Sequence, residues 1–354
     1  MAASCHSRAV SDTANRLIAW YGAHARALPW RVPPGAALPD DADFPYRVWL
    51  SEIMLQQTTV AAVRPYFADF TARWPNVAAL AAADDGDVMQ AWAGLGYYAR
   101  ARNLLACARA VTQRFGGVFP CDEAILRTLP GIGDYTAAAI AAFAFGRQAI
   151  VIDGNIERVI TRHAGITAPL PGARADIRAA IAAMAPAHAG DFAQGVMDLA
   201  GRICTPRSPD CSACPIAGGC AARALGTPQA FPVKPAKRAR PERRGTIWWI
   251  ECGGAVLTVI RPAKGLLGGM RALPSCNWSG DALPPFAADW QDWGAVSHGF
   301  THFELTLAVA ATMLPTRPDL PGEWVMMEKL LDSGLPTVFR KAAVRALAAR
   351  METV

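Results

Sequence analysis

Four closely spaced thiols give this chain its clearest chemical signal. Cys204, Cys211, Cys214 and Cys220 follow the spacing C-x6-C-x2-C-x5-C. Soft thiolates in such short loops suit zinc or an iron-sulfur cluster. A zinc ribbon usually places two C-x2-C pairs well apart, and here the second pair is missing, while Pro206, Pro209 and Pro215 keep the loops irregular. Disulfides are rejected, because Cys5, Cys107, Cys121, Cys252 and Cys276 are scattered without a framework. Upstream, Leu129-Pro130-Gly131-Ile132-Gly133 separates a helical stretch from an alanine-rich helix starting near Tyr135. Gly131 and Gly133 permit a tight turn and leave amides bare at a helix N-terminus, which suits either a phosphate site or an ordinary helix-helix turn. Twenty residues after Gly133, an apolar run delivers Asp153 ahead of another helix. There it would act as an N-cap, and the capping amides and helix dipole are expected to lower its pKa, keeping it anionic to stabilise a developing cation. Glu52 shares a helical face with Val48 and Gln56, where an isolated glutamate reads as a solvated surface group.

These groups require a scaffold. With 354 residues, 52% hydrophobic and 18% charged, the chain can bury the cores of two or three domains. From about residue 10 to 225 the apolar residues recur at three and four, which is helical. Pro228, Pro232, Pro235 and Pro241 then mark a semi-extended linker that also carries Lys234, Lys237, Arg238, Arg240, Arg243 and Arg244, most of the local basic charge in a chain of net +6. That run is either a solvated linker or a contact for a polyanion. Beyond it the period changes to two over 246–251, 255–260 and 303–310, with a last helix over about 341–350. The expected organisation is multi-domain: an all-α region over 1–227, the linker over 228–244 and an α+β domain over 245–354. The longest apolar stretch, 135–152, is mostly alanine and broken by Gly146 and Arg147, so it reads as a buried helix and not a membrane span. No leader pattern precedes residue 10, and a cytoplasmic protein is expected.

Taken together, the helical chain, the L-P-G-x-G hairpin, the following aspartate and the four cysteines resemble the helix-hairpin-helix DNA glycosylases that carry a [4Fe-4S] cluster. Within that superfamily, Ser51-Glu52-Ile53-Met54-Leu55-Gln56-Gln57-Thr58 and Gly94-Leu95-Gly96-Tyr97-Tyr98-Ala99-Arg100-Ala101-Arg102-Asn103 resemble the MutY adenine glycosylases, over nearly the whole chain. The resemblance implies removal of adenine mispaired with 8-oxoguanine or guanine in double-stranded DNA, by a monomer associated with the nucleoid. Glu52 becomes the general acid that protonates adenine N7, held in an apolar pocket furnished by Val48, Trp49, Ile53 and Leu55. Asp153 stabilises the oxocarbenium ion. Gln57 and Tyr97 match the wedge residues, with Thr58 and Leu95 beside them, and Asn155 and Gln194 match positions near the reacting nucleoside. Trp30 and Arg31 are carried over to the adenine pocket, although the segment 32–44 that follows looks longer than usual.

Tyr135 stands where strand-nicking relatives place a Schiff-base lysine, so the chemistry should stop at an abasic site; its other reading is core packing or lining the sugar pocket. Cys204, Cys211, Cys214 and Cys220 become cluster ligands, serving either as a scaffold or in electron transfer. Gly265-Leu266-Leu267-Gly268-Gly269-Met270 and Phe300-Thr301-His302-Phe303 resemble a Nudix-like recognition domain without the catalytic Nudix box, in which Phe300, Thr301 and His302 touch the lesion. Thr301 replaces the family's usual serine. The rival readings are an endonuclease III-like enzyme with lyase activity and a non-enzymatic zinc module for DNA binding.

Overall fold

A computed structural model describes residues 2–184, 188–235, 240–262, 265–278, 283–300 and 302–353. Thr301, Lys237 and Arg238 lie outside the described residues. The chain forms two compact units, one made of Met1–Ala83 and Asn103–Ala236, the other of Asp84–Arg102 and Lys237–Val354.

The first unit is helical throughout. It contains α1 (Ala2–His24), α2 (Phe44–Leu55), α3 (Val60–Arg73) and α4 (Val77–Ala81). The chain then enters the second unit with α5 (Asp85–Ala91), and returns along α6 (Ala99–Phe115). After α6 come α7 (Glu123–Leu126), α8 (Asp134–Phe145), α9 (Gly154–Ala164), α10 (Arg174–Met184), α11 (Ala189–Arg202) and α12 (Ala221–Ala224). Local chemistry explains the boundaries that matter for the site. α8 is alanine-rich and buried from Thr136 to Ala144, and it stops at Gly146, which adopts the left-handed φ of 62°. α9 starts where the Asp153 side chain accepts from the Ile156 amide, as its sequence position implied, and it also ends on a left-handed glycine, Gly165.

In the hairpin the two glycines are not equivalent. Gly131 sits at φ 74°, and a Cβ there would lie 2.7 Å from Cβ of Asn103, whereas Gly133 has an ordinary φ of −96° and open space around it. The tight turn therefore rests on Gly131 alone, while Gly133 leaves open space at the start of α8.

The linker folds more than its prolines suggested: Pro228–Ala230 forms a 3-10 turn and the first strand already opens at Glu242. The second unit is built on β1 (Glu242–Cys252), β2 (Ala255–Ile260), β3 (Arg271–Ala272), β4 (Gln291–Gly299), β5 (Glu304–Leu314) and β6 (Glu323–Met326), followed by α13 (Met327–Leu330) and α14 (Thr337–Thr353). The strands are ordered β3-β2-β1-β5-β4, with β6 paired to β2. β1 runs parallel to β5 in unbroken register from Glu242 opposite Glu304 to Cys252 opposite Leu314. Trp249, Ile250, Leu307 and Val309 from this pair pack with Phe339, Ala342 and Ala346 of α14 in the core. Among the described residues no helix is long and apolar enough to cross a membrane.

Candidate active site

One cavity of about 850 Å³ in the first unit gathers most of the chemically active groups. Trp30, Arg31, Glu52, Gln57, Thr58, Tyr135, Asp153, Asn155 and Gln194 all line it. They come from different elements: the segment before α2, α2 itself, the turn after it, α8, the start of α9 and α11. α2 is buried on nearly every side, which is why Glu52, far from being solvated, is only 6% exposed. Of the four residues expected to furnish its apolar pocket, Val48 and Leu55 line the cavity. Trp49 and Ile53 are buried but turn elsewhere, and Leu28, Phe44 and Phe143 supply the wall in their place.

Burial pushes the Glu52 carboxyl up from 4.5 to about 7. The Tyr135 hydroxyl, which donates to Oε2 at 2.5 Å, and the Arg31 guanidinium pull it down, while Asp153 pushes it further up. The acid thus holds its proton near neutrality by desolvation, against its hydrogen bond. Tyr135 is itself driven well above 10 by burial and by the two nearby carboxylates.

For Asp153 the expectation from capping is reversed. Its carboxyl accepts from the Ile156 amide at 2.7 Å and from Nδ2 of Asn155 at 3.0 Å, and both bonds lower its pKa, but burial outweighs them and the net shift is upward. Arg158 is a further cation beside it, donating to Oδ1 of Asn155 at 3.1 Å and to the Cys204 carbonyl at 2.9 Å. Trp30 is 4% exposed and stands edge-on to Phe67 at 4.9 Å, and Gln194 accepts from the Tyr21 hydroxyl at 3.1 Å. Gln57 is exposed, with a left-handed φ of 58° that a non-glycine residue seldom adopts.

Comparison with known proteins places this site in a family. Residues 50–178 match the model of the HhH-GPD superfamily base excision DNA repair protein, 204–220 the iron-sulfur binding domain of endonuclease III, and 246–344 a NUDIX domain. The human adenine DNA glycosylase is 32% identical over 92% of this chain and 72% of its own length. This chain belongs to the adenine DNA glycosylase family. The Mycobacterium tuberculosis member is 38% identical over 73% of this chain and 80% of its own. Among solved structures, a thermostable thymine-DNA glycosylase matches with a TM-score of 0.55 and 26% identity over 62% of this chain and 98% of that one.

The adenine DNA glycosylase is thus an enzyme of base excision repair with a [4Fe-4S] cluster, and its own residues fit that group. Cys204, Cys211, Cys214 and Cys220 are unbridged and part-buried, and a charge on any one of Cys204, Cys211 or Cys220 is felt at Cys214. These four thiolates would hold the cluster. Arg162 is 2% exposed and donates to Sγ of Cys204 at 3.2 Å, to the Thr205 carbonyl at 2.8 Å and to the Pro206 carbonyl at 3.0 Å, so a buried guanidinium clamps the loop.

The remaining expected contacts lie in the second unit. Leu95 is 6% exposed, so its side chain is packed, whereas Tyr97 is 51% exposed at φ 48° with the Arg100 guanidinium 5.7 Å from its ring. Phe300 stacks on Phe303 at 4.8 Å and meets His298 edge-on at 4.7 Å, and His302 is exposed. The glycosylase also contains a group its motifs did not flag. Asp198 on α11 is fully buried and accepts from both Arg26 and Arg31. A signal was present: one acid in the otherwise apolar run Val196-Met197-Asp198-Leu199.

Proposed function

We propose that the enzyme releases adenine opposite 8-oxoguanine, and opposite guanine, from duplex DNA, and that it stops at the abasic site. The observation that carries this reading is the buried Glu52, whose proton is held to about pH 7 in the same cavity as Asp153. In this reaction Glu52 gives its proton to adenine N7 as the C1′–N9 bond breaks. The electron pair of that bond leaves with the base, and the Asp153 carboxylate, oriented by Ile156 and Asn155, lies against the cationic sugar. Water then adds its hydroxyl to C1′, and the proton it releases returns to the Glu52 carboxylate, which completes the hydrolysis. Tyr135 offers a phenol where an imine-forming amine would be needed for strand cleavage, and it orients Glu52.

Gln57, with Thr58 beside it in sequence, and Tyr97, with Leu95 close to it in sequence, each serve as a wedge residue, while Trp30, Arg31, Asn155 and Gln194 surround the nucleoside. Gly131 and Gly133 seat a DNA phosphate. Phe300, His302 and Thr301 read the lesion from a domain that hydrolyses nothing. In that domain Glu251, Glu304 and Glu323 are each taken by an arginine, Arg350, Arg240 and Arg271. We read 1–227 as the catalytic region, 228–244 as the basic linker and 245–354 as the recognition domain of a cytoplasmic monomer.

The test is a duplex panel carrying adenine opposite 8-oxoguanine, guanine or thymine, assayed with and without alkali. Cleavage only after alkali, fastest opposite 8-oxoguanine, is expected. Strand breaks without alkali overturn the monofunctional reading, and equal rates on all three duplexes overturn lesion recognition.

A further inference from the structure

Asp198 is absent from the lining of the base cavity, yet it is bound to two groups that are part of it. It lies fully buried on α11 and receives the Arg26 backbone amide at 2.9 Å, the Arg26 guanidinium at 2.7 Å and Nη1 of Arg31 at 2.9 Å. Arg31 is itself only 10% exposed in its side chain. A carboxylate taken fully out of water survives only when paired and hydrogen-bonded, and here two guanidinium groups do both. The same face of α11 presents Asp191, which accepts from the Gly35 amide at 3.1 Å, and Gln194, which accepts from Tyr21. That helix therefore ties down the segment from Arg26 to Gly35, one wall of the cavity.

We propose that Asp198 is a positioning residue for base excision: it fixes the Arg31 guanidinium in the cavity wall and offsets the positive charge that Arg31 would otherwise impose on Glu52. This rests on the reading of Glu52 as the acid. The groups facing Glu52 are Tyr135 from α8, Asp153 from the start of α9 and Arg31 from the segment before α2. On α2 itself Arg47 is paired with Asp41 and Tyr46 with the Trp74 carbonyl, and on α3 Arg64 is bound to the Ala27 carbonyl and Arg73 to Asp69. Arg31 is thus the cation that Glu52 senses, and Asp198 is the counter-charge directly bonded to it. Without Asp198, Arg31 acts on Glu52 uncompensated, which favours the carboxylate and depletes the acid.

The experiment measures single-turnover adenine release from a duplex with adenine opposite 8-oxoguanine, over a range of pH, using the full-length cluster-containing protein. Asp198→Asn is expected to lower the neutral-pH rate about tenfold. Its basic limb should move down by about one pH unit, so acidification restores part of the rate. Asp198→Glu should return the limb towards wild type. Arg26→Gln, which leaves the carboxylate to Arg31 alone, should move the limb upward and serves equally if Asp198→Asn fails to fold. A loss that follows only the folded, iron-loaded fraction, with the limb unmoved in both variants, overturns the proposal. Glu52→Gln is run in parallel. If it retains excision, the acid reading fails; if it abolishes excision while neither limb moves, only the role of Asp198 fails.

Discussion

The Glu52 cavity in the first unit and the Phe300 surface in the second are built on opposite principles. In the cavity, Glu52 is buried and Asp153 and Arg31 are half-buried, and each is held by named partners: Glu52 by Tyr135, Asp153 by Ile156 and Asn155, Arg31 by Asp198. Removing water there is what shifts the proton affinities, so the region is organised for chemistry. On the second unit the corresponding groups are aromatic and stacked, Phe300 on Phe303 and Trp278 near Phe300, with the Arg261 guanidinium 4.5 Å from the Trp278 ring. In the proposed function these rings serve recognition by shape and stacking, and no proton transfer is assigned to them. Reaction and recognition should therefore fail separately.

The largest effect is expected in the cavity. Glu52→Gln should slow adenine release by about 100-fold to 10 000-fold while leaving duplex affinity nearly intact, because the lost proton acts in the transition state. Rate and binding assays on one preparation check this, and a parallel loss of both would blur the contrast between the regions. The same variant should also change stability. Since burial raises the Glu52 pKa from 4.5 to about 7, the folded state keeps a proton that the unfolded chain has lost, so stability falls as pH rises through that window. Above about pH 7 the penalty is fully present, roughly 3 kcal/mol, and the neutral glutamine removes it. Melting curves at pH 5 and pH 8 should show a larger gain for Glu52→Gln at the higher value.

Gly131→Ala places a Cβ against Asn103 at a left-handed backbone. It should cost about 2 kcal/mol, read in denaturant unfolding, and weaken DNA binding without moving the pH profile. Phe300→Ala should have the smallest effect, about tenfold in the preference for 8-oxoguanine over guanine, with the rate on the plain mispair unchanged. If it instead lowered both rates equally, the separation of recognition from reaction would be lost.

Much of this was legible in the sequence because it rests on local rules. The Asp153 cap, the Gly146 stop of α8 and the strand Ala255–Ile260 are short-range patterns, and the structure has each where the pattern puts it. The short strands β3 and β6 and the long β4 carry no such local pattern, as pairing across the sheet, not their own residues, creates them. In the site, Glu52 and Tyr135 were named, but not their 2.5 Å bond, because residues on α2 and α8 meet only through packing. For the same reason the sequence implies the wrong direction for the Asp153 shift: capping is a local effect, while burial depends on the whole fold. Asp198 carries no local motif because its partners lie more than 160 residues away.

The central claim is that a buried, protonated Glu52 drives the reaction, and the most direct measurement is the pH dependence of single-turnover adenine release by the wild type beside Tyr135→Phe. The wild-type rate should fall as pH rises beyond about 7, and Tyr135→Phe, which removes a hydrogen bond that favours the carboxylate, should carry that fall to higher pH. A rate that stays level well above neutrality, or a limb that Tyr135→Phe leaves in place, would contradict the account.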